Sequence, residues 1–88
     1  SVDRELALVK VTATPEKRAE ILQISDIFRG KIIDVSERTL TIEVTGQVDK
    51  IDAFQNLLEP YGIKELVRTG KIALSRGARS ASEMRGNQ

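Results

Sequence analysis

Cysteine and histidine are both absent from this 88-residue chain. Their absence removes disulfides, thiolate nucleophiles, imidazole bases and the common zinc-site compositions together, so any side-chain chemistry must come from carboxylates and hydroxyls. Tryptophan is missing too, and Phe28, Phe54 and Tyr61 are the only aromatics. That is too few for the stacking platform with which a sheet reads single-stranded RNA. No apolar run approaches the roughly 20 residues that cross a bilayer as a helix, and no charged-then-apolar signal pattern opens the chain. Neither sign of charge dominates: 14 Lys and Arg face 13 Asp and Glu, for a net +1. No global field gathers nucleic acid or anionic membrane. The expectation is a soluble cytoplasmic protein that binds neither nucleic acid nor membrane, and the lack of cysteine agrees with a reducing compartment.

Hydrophobic residues make up 40% of the chain and charged residues 31%, the proportions of a folded globular domain. Its length suits one small domain with a two-layer core, at a size where folding hides only about 60–70% of the unfolded surface. Partnership with a second chain is a natural source of added stability.

Hydrophobic periodicity orders the chain as strand, helix, strand, strand, helix, strand. From Glu5 to Ala13, Ala7, Val9 and Val11 share one face of a strand, with Leu6 and Leu8 on the other. Thr14-Pro15 is a helix-start signal. Ile21, Ile24 and Phe28, with Ile27 beside them, form the stripe of an amphipathic helix, closed by Gly30 in a left-handed position. Lys31 to Val35 and Leu40 to Thr45 read as a hairpin around Ser36 to Thr39. A second helix carries Ile51, Phe54, Leu57 and Leu58, and ends at Pro60 and Gly62. Ile63 to Val67 and Lys71 to Leu74 form the last strand, bent or bulged at Thr69-Gly70. Right-handed crossovers then predict an α+β, ferredoxin-like βαββαβ sandwich: a four-stranded antiparallel sheet of order 4-1-3-2 with both helices on one face. The domain is expected over residues 1–77, with a flexible tail over 78–88.

No candidate site has catalytic chemistry. Asp49/Asp52 and Glu16/Glu20 lie one helical turn apart, but on polar faces among lysines and arginines. The first strand-to-helix loop, Thr12-Ala13-Thr14-Pro15, lacks the glycines of an anion cradle and loses a donor to proline, which argues against a phosphatase on this fold. Ser25, Ser36 and Ser75 have no histidine to activate them. The expected catalytic, cofactor and metal sets are therefore empty. Leu6 and Leu8, with Leu66 if the last strand keeps its alternation, should leave apolar groups on the helix-free face of the sheet. Such a face points to self-association or to another subunit.

Phe28-Arg29-Gly30, Ile33-Asp34-Val35, the run from Leu40 to Gly46, Lys50-Ile51-Asp52 and Gly62-Ile63-Lys64-Glu65 together resemble the C-terminal half of the small, regulatory subunit of acetohydroxyacid synthase, also called acetolactate synthase. The likeness runs from about Arg4 to Gly77. It implies a non-catalytic domain of branched-chain amino acid biosynthesis that binds and activates the large subunit and helps transmit feedback inhibition by valine, leucine or isoleucine. The large subunit is the partner that carries thiamine diphosphate, magnesium and FAD. The resemblance also implies a homodimer, a plastid location in a photosynthetic eukaryote, and an effector site in an N-terminal ACT domain expected to lie before Ser1. Partner contact is expected from the polar members of the resembling segments: Arg29, Asp34, Lys64, Glu65, Arg68 and Arg76. The alternative is a stand-alone ferredoxin-like module that binds an amino acid at its own dimer interface.

Overall fold

The computed structural model describes residues 2–74. Its elements are β1 (Val2–Thr12), α1 (Arg18–Ile27), β2 (Lys31–Val35), β3 (Thr39–Gly46), α2 (Val48–Leu58), a 3-10 turn (Glu59–Tyr61), β4 (Ile63–Arg68) and β5 (Ile72–Leu74). Every strand pairing is antiparallel, and the order β2-β3-β1-β4 is the expected 4-1-3-2 read from the other edge. β5 pairs Val2–Arg4, past the point where β3 leaves β1 at Glu5↔Gly46. The expected tail over 78–88, and Arg76, lie outside the described residues.

β4 and β5 run along β1 as one strand with a bulge. Between Ala7↔Arg68 and Arg4↔Ile72 the first strand supplies Glu5 and Leu6, while the last supplies Thr69, Gly70 and Lys71. Thr69 N–H donates to the Leu6 carbonyl at 3.0 Å, and Leu6 N–H donates to Thr69 Oγ1 at 3.0 Å, so a hydroxyl replaces a ladder carbonyl. Gly70 takes up the extra length with φ +75°, a left-handed angle that favours glycine.

The core lies between the sheet and the two helices. Ala7, Val9 and Val11 of β1 stand opposite Val44, Ile42 and Leu40 of β3, and all six are buried. Ile21 of α1 and Ile51, Phe54 and Leu58 of α2 close over them, with Ile24, Phe28, Ile63 and Leu66 packed at the margin. Two expected core members fall outside: Ile27 is 75% exposed and Leu57 49%. In α1 the buried position goes instead to Ser25, one turn after Ile21, and in α2 the stripe narrows to spacings of three and four.

Both ends of α1 differ from expectation. Regular helix begins at Arg18, after a turn in which Lys17 and Arg18 N–H groups donate to the Thr14 carbonyl at 3.0 and 2.9 Å, and no side chain caps it. At the C-terminus Arg29, not Gly30, occupies the left-handed position, with φ 57°. Arg29 N–H donates to Asp26 O at 3.0 Å and Gly30 N–H to Ser25 O at 2.7 Å, which is the paired pattern of a Schellman motif. Gly30 is required for closeness instead: a Cβ there meets Ser25 Oγ at 2.7 Å and Ile42 Cγ2 at 2.8 Å. Gly30→Ala is therefore expected to lower stability by about 1–3 kcal/mol, the usual cost of overpacking a core. Ser25→Ala in the same chain removes one of the two contacts, and also a buried hydroxyl with no hydrogen-bond partner. The double variant should recover part of the loss in urea unfolding; no recovery would place the strain elsewhere.

Candidate functional site

Directly opposed residues of an antiparallel pair share a face, so the register defines the helix-free surface row by row. One row runs Asp34, Thr41, Lys10, Glu65, and the next Lys31, Glu43, Leu8, Val67; Thr45 stands opposite Leu6 beyond them. Lys10 Nζ reaches Glu65 Oε2 at 3.6 Å. The surface is therefore largely polar, with the Lys10–Glu65 pair across β1 and β4, and carries one apolar patch where Leu6 and Leu8 adjoin Val67, itself 58% exposed.

Leu66 does not join that strip, contrary to expectation. It stands opposite Val9 and packs on the core, because Lys64 is an extra residue between the pairs Lys10↔Glu65 and Val11↔Ile63. This bulge resets the alternation, so Ile63 and Leu66 face the same way and Val67 takes the outer position. A second bulge at Ile33, between Ile32↔Ile42 and Asp34↔Thr41, turns Asp34 onto the helix-free face.

Arg68 sits at the other surface of the sheet, opposite Ala7, and ties three elements together. Its Nε and Nη2 donate to the two Glu5 carboxylate oxygens at 3.1 and 2.5 Å, and its Nη1 donates to Asp52 Oδ1 at 2.8 Å and Gln55 Oε1 at 2.9 Å. Glu5 is only 3% exposed. The Arg68 hydrogen bonds hold its carboxyl below the usual carboxylate range against the opposing effect of burial, and the guanidinium is raised in turn. Among the six residues expected to contact a partner, Arg68 is thus committed within the domain.

Among the described residues, the remaining expected contacts are not gathered into one place. Asp34 and Glu65 share a row but stand three strand spacings apart, about 14 Å; Lys64 lies exposed in its bulge and Arg29 at the end of α1. Two ties went unread in the sequence. Arg18 Nη2 donates to the carbonyls of Ala13, Ser36 and Glu37 at 3.1, 2.8 and 2.8 Å, pinning the β2–β3 turn to the end of β1. Tyr61 donates its hydroxyl to Glu20 Oε1 at 2.7 Å, which lowers the Glu20 pKa and raises that of the phenol. The helical acid pairs accordingly serve as structural partners: Glu20 for Tyr61 and Lys17, Asp52 for Arg68.

A central β1, an antiparallel sheet in the order β2-β3-β1-β4 and helices on one face define a ferredoxin-like α+β domain whose other face is covered by no helix among the described residues. Residues 4–77 match the family model described as the small subunit of acetolactate synthase. The "Probable acetolactate synthase small subunit" of Archaeoglobus fulgidus is 57% identical over 77 residues, 88% of this chain and 48% of that protein. The "Acetolactate synthase small subunit 2, chloroplastic" of Arabidopsis thaliana is 57% identical over 75 residues, 85% of this chain and 16% of that one. A crystal structure of the small subunit from Thermotoga maritima superposes with a TM-score of 0.77 at 49% identity, covering 86% of this chain and 47% of that one. The chain belongs to the family of acetolactate synthase small subunits. It spans about half the length of the archaeal and Thermotoga relatives it matches.

Proposed function

We propose that this chain is the C-terminal domain of a regulatory subunit of acetolactate synthase and works through contact with the catalytic large subunit. Family membership over residues 4–77 is the observation that carries this reading. The open sheet face supports it, because Leu6, Leu8 and Val67 present an apolar strip with a charged border, the composition of a protein contact. In this role the domain is non-catalytic and holds no cofactor of its own; thiamine diphosphate, magnesium and FAD belong to the large subunit. It raises acetolactate formation for branched-chain amino acid synthesis, pairs with a second copy, and passes on the inhibition set by an effector bound to another domain. In plants its place is the plastid, and elsewhere the cytoplasm.

The test is to mix the chain with the large subunit of the same organism and measure acetolactate formation and co-elution. Stimulated activity in a co-eluting complex is the expected outcome. A large subunit that neither co-elutes nor gains activity overturns the proposal.

A further inference from the structure

The four-stranded sheet ends in two edge strands, β2 and β4, and each carries a bulge. They are protected differently. At β4 the extra residue is Lys64, an exposed cation of the kind that keeps one sheet edge from pairing with another. At β2 it is Ile33, 44% exposed, and Val35 is 61% exposed although it stands opposite the buried Leu40. The helix layer stops short of this edge. Arg18 reaches the Ser36 and Glu37 carbonyls at the end of β2, so Leu22, one turn further along the same stripe of α1, is turned toward β2 as well. Leu22, Ile33 and Val35 are three of the six large apolar side chains that stand exposed among the described residues, and all three line one strand edge.

The charges on this edge complement a second copy of themselves. In a regular strand Lys31 and Asp34, three residues apart, would point to opposite sides of the sheet. The bulge at Ile33 puts both on the helix-free face, opposite Glu43 and Thr41. Neither has an ion-pair partner among the described residues. When two copies of one strand pair antiparallel about a twofold axis, each contact occurs twice, and opposed residues share a face. Setting Lys31 against Asp34 of the second copy therefore sets Asp34 against Lys31, with Ile32 and Ile33 opposed between them. Sliding the copies by one residue either way puts Asp34 against Ile32 or Gly30 and leaves both charges unmatched.

We infer that β2 is the edge through which two copies of this chain join, antiparallel and in the register that opposes Lys31 and Asp34; this rests on the pairing of copies proposed above and gives it a surface. The product is one continuous sheet. Its helices all lie on one side, and the Leu6, Leu8 and Val67 patches of both copies face the other, free for a different partner. A contact made by a five-residue strand and one helix side is smaller than a permanent interface, so the dimer should dissociate on dilution.

The test is sedimentation of the parent, K31E, D34K and an equal mixture of the two variants over a concentration series. Each variant sets like charges together at two symmetric positions, so each alone should dimerise at least tenfold more weakly than the parent. The mixture should recover the parent affinity, because in a heterodimer every acid meets a lysine. Should K31E fold poorly beside Glu43, thiol coupling serves in its place. The chain has no cysteine, so I33C carries one thiol beside the twofold axis and should give a disulfide-linked dimer under mild oxidation. L57C, on exposed α2, should stay monomeric. Equal dimerisation of all four samples, a mixture no tighter than its parts, or coupling of L57C as readily as I33C overturns this inference and leaves pairing through another surface standing. A parent that is monomeric throughout overturns both, and the large-subunit assay still tests the rest of the proposed function. Variants that keep the dimer but lose the large subunit assign the edge to that partner, and the inference falls.

Discussion

Replacing Arg68 by methionine is expected to lower the melting temperature at pH 7 on the order of ten degrees, the scale set by a lost buried partner in a domain this small. The variant keeps the apolar stem and removes the guanidinium, which leaves the Glu5 carboxylate 3% exposed and without a cation. The loss should depend on pH. In the parent the Glu5 folded-state pKa lies below its unfolded value, so its contribution is fully present above that unfolded value, about 4.3, and fades as pH falls through the folded pKa. In the variant burial is opposed only by the weaker backbone hydrogen bond at Gly70 and raises the folded pKa, so the variant loses stability as pH climbs past about 4. The gap between the two should therefore be widest near neutrality and narrow toward pH 4. Adding Glu5→Gln removes the buried charge and should restore part of the melting temperature. A gap independent of pH, or a double variant no better than R68M, would show that Arg68 acts through packing alone.

Phe54→Ala should cost about 3–5 kcal/mol, the usual range for deleting a buried phenylalanine. Phe54 of α2 is fully buried in the core and shares a tilted ring contact with Phe28. A domain of this size has roughly 5–15 kcal/mol in total, so the variant should lose a third or more of its stability and show a much lower urea midpoint and melting temperature. Phe54→Leu keeps most of the volume and should lose less than half as much. Equal losses would mean that ring geometry, rather than filled space, sets the energy.

Alternation and turn chemistry were enough to read the layer architecture. Ala7, Val9 and Val11 against Leu40, Ile42 and Val44 is the core as built, and Thr69-Gly70 is the bulge as expected. Leu66 was misplaced because a single extra residue at Lys64 reverses every later side chain, and neither neighbour of Lys64 is glycine or proline to mark it. Ile27 and Leu57 were included in helical stripes by hydropathy, but the stripe that reaches the sheet is narrower than the apolar content of either helix. Glu5 was legible in principle: it shares the face of Ala7, Val9 and Val11, and an acid on a buried face calls for a cation. Which cation supplies it, 63 residues further on, depends on the register of the last strand. Arg18 gave no such signal, since its three acceptors are backbone carbonyls that any sequence offers.

β1 is made first along the chain and completed last. Its neighbours are β3 on one side and β4 with β5 on the other, so until the final segment docks, the central strand is an edge, with its amides unpaired and Glu5 without Arg68. Most of the binding surface between these strands joins residues far apart in sequence, a high contact order that slows folding. The hairpin joins residues close in sequence, but the sheet is complete only when the last segment of the fold pairs with the first.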